Sequence, residues 1–170
     1  MSAHVAEVLL VRGAPGVGKS SAVRAARKLL PGGAIVEVDE LRGMIAAVRW
    51  GDRLHHELAL DHAALLVTSF LAKGFTPVLV VDTFSRRLAD PFARSLGRLY
   101  RIASLVADAD TLRQRIEGRP ANQFGDHDVS LALNAQTRHD RFEHDVLVDT
   151  TGLRAEEVAA RLASIVRGAL

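Results

Sequence analysis

The stretch 7-EVLLVRGAPGVGKS-20 decides the fold. A short apolar run, 7–12, leads into a glycine-rich loop, and the residues 19–29 that follow have the pattern of a helix. The loop 13-GAPGVGKS-20 fits G-x-x-x-x-G-K-[ST], whose backbone N–H groups cradle phosphates at the start of a helix. Its four fixed positions would match by chance in only about one in a few hundred chains of this length. A turn that merely joins a strand to a helix is the alternative.

The loop predicts a site for ATP and Mg²⁺. Lys19 can reach the β- and γ-phosphates as a point charge, and the Ser20 hydroxyl can bind Mg²⁺. The glycines permit a close backbone approach that side chains would block. The predicted nucleotide-binding residues of this segment are Gly13, Ala14, Pro15, Gly16, Val17, Gly18, Lys19, Ser20 and Ser21.

Short apolar runs alternate with longer helical patterns along the whole chain. The runs are 7–12, 34–39, 77–82, 101–107 and 145–149. The predicted helices are 19–29, 40–49, 53–73, 85–98, 109–118, 128–141 and 154–168. This alternation predicts one α/β domain, residues 1–170, with a five-stranded, mainly parallel sheet covered by helices on both faces. Because ligands bind beyond the carboxyl ends of such strands, we expect the chemistry just after each run.

The composition excludes several classes of protein. The chain has 170 residues, 48% of them hydrophobic, which is enough for one domain with a sizeable core. It has no cysteine, which excludes disulfides and thiolate metal sites, and its net charge of +2 gives little support for a polyanionic partner. The sequence shows no signal-peptide pattern and no apolar run of about eighteen residues, so we expect a cytoplasmic protein without a membrane partner.

A phosphate-binding loop is compatible with a kinase, a GTPase, a motor or transport ATPase, or a switch. The sequence has no N-K-x-D guanine signature, and the chain is short for a motor or an oligomeric ATPase core. A small kinase remains. It needs a base beside the acceptor, an acceptor pocket, cations for the transferring phosphoryl group and a purine site.

Carboxylates follow the second and third apolar runs. Asp39 can accept the proton of an acceptor hydroxyl, orient that hydroxyl, or hold a Mg²⁺-bound water. Arg42 lies one turn further on and can face the same acceptor, and Asp82 can contact the metal or the acceptor. The alternatives are helix capping for the two aspartates and a solvated surface position for Arg42.

The acceptor pocket is predicted from residues 40–73 and the loop after residue 82. Trp50 and Phe84 can form apolar walls for a flat or hydrophobic substrate, with core packing as the alternative. His55 and His56 are adjacent, so they cannot share a helical face as a metal-binding pair would. We therefore expect Mg²⁺ that arrives with the nucleotide rather than a histidine metal site.

The sequence resembles the small P-loop kinases related to chloramphenicol phosphotransferase and the 5′-hydroxyl polynucleotide kinases. The matching pieces are GAPGVGKS at 13–20, VDELR at 38–42, VLVVDTFS at 78–85 and DVLVDTTGLRAEEVA at 145–159. The resemblance implies a P-loop NTPase fold of the nucleoside-monophosphate-kinase type, with Asp39 as general base.

The same resemblance implies a lid over the phosphates at about residues 113–128. Arg115 and Arg119, four apart and predicted on one helical face, would clamp the nucleotide as bidentate donors, with a basic surface stripe as the alternative. The turn after the last strand would lie near the base, which assigns Thr151 to the border of the adenine site.

Three functions fit these features. The first is an ATP-dependent kinase that phosphorylates a hydroxyl of a small molecule, an antibiotic or a metabolite. The second is a 5′-hydroxyl polynucleotide kinase, which the D-x-x-R spacing of Asp39 and Arg42 favours, whereas the low net charge and the few aromatic residues count against a strand-binding groove. The third is a nucleotide-binding regulatory or toxin-like module. The acceptor, the choice between ATP and GTP, and the oligomeric state stay open at this point.

Overall fold

The structure is a computed structural model that describes residues 5–48, 52–119 and 126–169. The strands are Val8–Arg12 (β1), Ala34–Glu37 (β2), Val78–Asp82 (β3), Tyr100–Val106 (β4) and Asp145–Asp149 (β5). The helices are Lys19–Ala26 (α1), Val38–Gly43 (α2), Arg53–Ala72 (α3), Arg86–Ser95 (α4), Ala109–Glu117 (α5), His127–His139 (α6) and Ala155–Val166 (α7).

The strands form one parallel sheet in the order β2-β3-β1-β4-β5. The central strand β1 pairs with β3 on one side and with β4 on the other, so that Arg12 lies opposite both Asp82 and Ser104. All carboxyl ends therefore meet at one edge of the sheet. The predicted five-stranded α/β sheet is confirmed.

The core lies in two layers, one on each face of the sheet. Leu9 and Val11 of β1 belong to a cluster that includes residues of α1 and α7. Val8 and Leu10 belong to the opposite cluster, which includes residues of α3 and α4. Successive side chains of a strand point to opposite faces, so a continuous apolar run is what a strand between two helical layers requires.

The second run differs from its prediction. β2 ends at Glu37 instead of residue 39, and the helix predicted over 40–49 extends only from Val38 to Gly43. β2 is an edge strand, since it pairs with β3 alone, and its last paired residue is Glu37, opposite Val81. The chain can therefore turn into α2 immediately after that pair.

The helices run back along the sheet between successive strands, so several of their N-termini lie at the carboxyl edge. α1 begins there after β1, and α3 begins there before the chain enters β3. Within the described ranges, no helix is both long enough and apolar enough to cross a membrane.

Candidate active site

The phosphate-binding loop depends on glycine at two points of close contact. Gly13 has φ 149°, and a Cβ there would lie 2.4 Å from the carbonyl oxygen of Leu105. Gly16 has φ 92°, and a Cβ there would lie 3.1 Å from the Ile116 side chain of α5. Both backbone conformations are ones that residues with side chains rarely adopt. The motif glycines are therefore required by the packing of the loop against β4 and α5.

The loop delivers the chain into the N-terminus of α1. The first intrahelical hydrogen bond is donated by Ala22 N to Gly18 O, at 2.9 Å. The N–H groups of Lys19, Ser20 and Ser21 precede that bond, and such groups at a helix start point towards a bound anion. The first turn of α1 contains no acidic side chain that would compete for them.

Lys19 folds back over the loop. Its Nζ donates hydrogen bonds to Gly13 O at 2.6 Å and to Ala14 O at 3.0 Å. Removal of the amine from water lowers the pKa of Lys19 to about 8, although the nearby carboxylates of Asp82 and Asp39 act in the opposite direction. Neutral carbonyls stabilise the charged amine less than an anion does, so a bound phosphate would favour the charged form of Lys19.

Asp39 lies in the first turn of α2, beside Arg42. Arg42 Nη1 donates to Asp39 Oδ1 at 3.2 Å, and the Arg42 side chain is buried, in contrast to a solvated surface position. The residue that precedes α2 as its cap is Glu37, so the capping alternative for Asp39 is wrong. The two side chains therefore do lie together, as their spacing predicts.

The groups around Asp39 shift its pKa. Partial desolvation and the nearby Asp82 raise the pKa of Asp39, while Arg42 and Lys19 lower it. The Asp39 side chain is 61% exposed, so water screens this shift and only its upward direction matters. Asp39 is therefore an exposed carboxylate whose pKa responds to the charge of Lys19.

Asp82 at the end of β3 is paired with a histidine that sequence analysis did not select. His56 Nε2 and Asp82 Oδ2 are 2.6 Å apart, and the Asp82 side chain is 2% exposed. The cap of α4 is Ser85, so the capping alternative for Asp82 is also wrong. No local spacing joins residues 26 positions apart. The order of the elements could have predicted this contact, because α3 begins and β3 ends at the same edge of the sheet.

Arg115 joins the phosphate loop to the turn after β5. Its guanidinium donates to Val17 O at 3.3 Å, to Thr150 Oγ1 at 3.0 Å, to Thr150 O at 2.9 Å and to Leu153 O at 3.2 Å. Burial lowers the pKa of Arg115 from its ordinary value. Arg115 therefore holds the phosphate-binding loop and the turn after β5 together.

Arg119 does not share a helical face with Arg115, so that prediction is wrong. α5 ends at Glu117, where the chain leaves the helix at Gly118, and Arg119 lies beyond that end. Arg119 is still close enough to Lys19 for its charge to lower the Lys19 pKa. Its position beside the loop is compatible with a role at the phosphates. Of the predicted lid at 113–128, residues 120–125 lie outside the described ranges.

The turn after β5 is held against the phosphate-binding loop and the end of β4. Thr151 Oγ1 accepts a hydrogen bond from Asp108 N at 2.9 Å, and Thr151 itself is exposed. The buried Thr150 hydroxyl lies 3.0 Å from Val17 O and 3.1 Å from Val106 O. These bonds place Thr151 at the surface next to the loop, where the resemblance assigns the adenine border.

A comparison with known protein families identifies the family of the chain. A family model described as an AAA domain matches residues 8–143. The chain belongs to the AAA domain family. No curated protein matches it.

Solved structures share the fold of this AAA domain. The tunicamycin resistance protein of Deinococcus radiodurans has a TM-score of 0.69 at 18% identity, over 94% of this chain and 94% of that one. A sugar kinase from Janibacter sp. has a TM-score of 0.68 at 15% identity, over 92% and 91%. A chain of the Pnkp1/Rnl/Hen1 RNA repair complex has a TM-score of 0.68 at 20% identity, over 83% of this chain and 47% of that one. The expected fold and the expected resemblance to P-loop kinases are confirmed.

The two predicted apolar walls have different outcomes in the AAA domain. The Phe84 ring is 2% exposed and packs on Phe92 with centroids 5.5 Å apart, so it belongs to the core, as the packing alternative predicts. Trp50 lies outside the described residues. Near the site, the backbone carbonyl of Phe84 accepts a hydrogen bond from Arg12 Nη1 at 3.3 Å.

Arg12 is a further polar residue near the site. Sequence analysis missed it because it lies at the end of an apolar run. It is 1% exposed at the end of β1, and its Nε donates to Ser104 Oγ at 2.7 Å. Its Nη2 lies 3.9 Å from Asp145 Oδ2, and the guanidinium lies 4.5 Å from the centre of the Phe142 ring. Arg12 also donates from Nη2 to Thr137 O at 3.4 Å, and thus ties the loop after β3 to the last turn of α6.

The donor set of the AAA domain fits Mg²⁺ that arrives with a nucleotide. Mg²⁺ prefers oxygen ligands and is held by one or two protein groups together with substrate phosphates. Ser20, in the first turn of α1, offers such an oxygen. Among the described residues, no group of three or more histidines, aspartates and glutamates could hold a metal ion by itself.

Proposed function

We propose that this protein is an ATP-dependent phosphotransferase that moves the γ-phosphoryl group to a hydroxyl of a small molecule, an antibiotic or a metabolite. The observation that carries the proposal is the position of two residues at the carboxyl edge of the sheet: Lys19 follows β1 at the start of α1, and Asp39 follows β2 in the first turn of α2. The charges of Asp39 and Lys19 also act on each other's pKa. A carboxylate that can take a proton thus lies at the same edge of the sheet as the cation of the phosphate loop.

The nucleotide would be held by the loop and α1. The N–H groups at the start of α1 and the Lys19 amine would neutralise the β- and γ-phosphates, and the backbone between Gly13 and Gly18 would surround them. Ser20 would hold Mg²⁺, which when bound offsets charge on the phosphates. Thr151 would border the base.

The acceptor would be activated by Asp39. The acceptor hydroxyl donates its proton to the Asp39 carboxylate while its oxygen forms a bond to the γ-phosphorus, and the bond from that phosphorus to the bridging oxygen breaks to release ADP. Arg115 or Arg119 would balance the charge of the transferring group. Arg42 and Asp82 would orient the acceptor. A raised Asp39 pKa suits a base that must accept and then release a proton.

A 5′-hydroxyl polynucleotide kinase is the second candidate, favoured by the Asp39–Arg42 pair at 3.2 Å. The likeness to a chain of an RNA repair complex is in line with it. The same pair also limits this candidate, because Arg42 is buried against a carboxylate rather than exposed to a strand. The salt dependence of oligonucleotide binding distinguishes the two candidates, since a phosphate-tracking groove gives a steep negative slope.

The experiment that tests the proposal is a transfer screen. The full chain is incubated with γ-labelled ATP, Mg²⁺ and either candidate alcohols or 5′-hydroxyl oligonucleotides, and the label on each acceptor is measured. Label on a small alcohol supports the proposal, and label on oligonucleotides alone replaces it with the second candidate. ATP binding without transfer to any acceptor would indicate a regulatory or toxin-like module. The single domain with a lid and the cytoplasmic location stay predictions.

A further inference from the structure

His56, the partner of Asp82, is a side chain at the site that the mechanism above does not use. Asp82 ends the strand next to β1, and His56 lies in the first turn of α3. Their 2.6 Å separation joins a buried carboxylate to an imidazole at the same edge of the sheet as Lys19. Asp82 lies opposite Arg12, the last residue of β1 before the phosphate-binding loop, so the pair lies beside that loop. The Asp82 charge also acts on the pKa of Lys19 and of Asp39.

The two partners differ in their access to solvent. The Asp82 side chain is 2% exposed, whereas the His56 side chain is 20% exposed. A molecule that enters from solvent therefore meets the imidazole, with the carboxylate behind it. This is the arrangement in which a carboxylate orients a histidine for contact with something else.

The contact also fixes which nitrogen of His56 faces a ligand. Where a neutral His56 imidazole donates this hydrogen bond to the Asp82 carboxylate, its proton is on Nε2. Its Nδ1 is then a hydrogen-bond acceptor. A ligand group that meets Nδ1 must be a donor, such as a hydroxyl.

The charges around the pair restrict the ligand further. Asp39 and Asp82 are close enough for Asp82 to raise the Asp39 pKa. Of the two cations beside them, Arg42 bonds Asp39 at 3.2 Å and Lys19 bonds two loop carbonyls. An acceptor with its own carboxylate or phosphate would be repelled by the two carboxylates here. A hydroxyl group, in contrast, could donate a hydrogen bond to either of them.

We infer that His56, oriented by Asp82, binds a second hydroxyl of a neutral, polyhydroxylated acceptor through Nδ1, while Asp39 takes the proton of the hydroxyl that is phosphorylated. This inference rests on the proposed phosphotransferase function. It names the chemical class of the acceptor and adds His56 to the residues that bind it.

The test uses the full chain and two matched variants. His56→Gln keeps an N–H donor for Asp82 but removes the Nδ1 acceptor. His62→Gln, an exposed position on the same helix, is the control. The probes are neutral polyols (glucose, ribose and inositol) and hydroxy acids (gluconate and shikimate). Thermal denaturation shows whether each variant is folded.

The first readout is independent of turnover. Imidazole ¹⁵N spectra of the wild type should show the Nε2–H tautomer of His56. The Nδ1 resonance should shift when a neutral polyol binds in the presence of a non-hydrolysable ATP analogue. A proton on Nδ1, whether or not Nε2 also carries one, or no response to any polyol, overturns the inference.

The second readout is the kinetics of transfer. We expect neutral polyols to be phosphorylated in preference to the hydroxy acids. His56→Gln should raise the acceptor KM about tenfold with the KM for ATP unchanged, which corresponds to the loss of one buried hydrogen bond. Preference for a hydroxy acid, or an unchanged acceptor KM, overturns the inference while the phosphotransferase function stands. A polyol that shifts Nδ1 without being phosphorylated supports the His56 contact and contradicts the phosphotransferase function.

Discussion

The carboxyl edge of the sheet has two halves that are built differently. The half that we propose binds the nucleotide, the nucleotide half, comprises residues 13–21, Arg115 and the turn at 150–153. Its hydrogen bonds mostly join side chains to backbone carbonyls. The half that we propose binds the acceptor, the acceptor half, comprises Asp39, Arg42, His56 and Asp82, which pair side chain to side chain. Phosphates are common to all nucleotides, so backbone groups are sufficient to bind them. One acceptor must be distinguished from other hydroxyl compounds, which requires side chains.

Within the nucleotide half, the largest expected effect comes from the replacement of Lys19. Lys19→Ala removes the cation of the loop, so both ATP affinity and phosphoryl transfer should fall, with transfer reduced at least about 100-fold. Calorimetric titration with ATP and the transfer assay measure the two effects. Lys28→Ala, an exposed position just after α1, is the control. Normal ATP affinity in Lys19→Ala would contradict the assignment of the loop.

A smaller effect is expected from Arg115, which connects the nucleotide half internally. Arg115→Ala leaves the carbonyls of Val17, Thr150 and Leu153 without this donor, and should cost about 1–3 kcal/mol of the free energy of unfolding. The midpoint of thermal unfolding should fall by about 2–4 °C for each kcal/mol. Arg113→Ala, whose side chain is 51% exposed on the same helix, should leave the midpoint unchanged. Equal midpoints for the two variants would show that Arg115 does not support the loop.

The smallest expected effect is the pH dependence of Mg²⁺-free ATP binding. The pKa of Lys19 is about 8 in the free protein, and a bound triphosphate should raise it, so binding should take up protons near pH 8. ATP affinity should fall as the pH rises above 8, by at most about tenfold per pH unit. Calorimetry in EDTA with two buffers of different ionisation enthalpy measures the uptake. Lys19→Arg should abolish it, and uptake that persists there would assign the proton to another group.

The same pKa has a consequence for the stability of the free protein. Its folded value of about 8 lies below the ordinary value of 10.5, so between these pH values the unfolded chain binds the extra proton. The contribution of Lys19 to folding therefore becomes more favourable as the pH rises from 8 to 10.5. Chemical denaturation across this range should show that slope in the wild type and lose it in Lys19→Arg.

The two halves also differ in how far the sequence predicts them. The phosphate loop is contiguous, and its glycines are dictated by backbone contacts, so a local motif suffices to find it. Asp39 and Arg42 are three residues apart on one short helix, and their pairing follows from helical spacing. The parallel sheet follows from the alternation of apolar runs with helical patterns.

What the sequence does not predict depends on contacts between distant elements. His56 and Asp82 meet because α3 begins where β3 ends, and Arg12 is hidden inside an apolar strand, where buried partners compensate its charge. The short extent of α5 separates Arg119 from Arg115, although their spacing of four residues suits a helix. Each of these depends on where an element ends or crosses, which side-chain periodicity does not determine.

The central claim is that Asp39 takes the acceptor proton beside the phosphate loop, and Asp39→Asn tests it most directly. The asparagine keeps the shape of the side chain but cannot accept that proton. Transfer to the acceptor should fall by about 100- to 10,000-fold, whereas ATP affinity should change by less than about threefold. Glu40→Gln, one residue away with its side chain 69% exposed, should transfer normally. Near-normal transfer by Asp39→Asn would contradict the account.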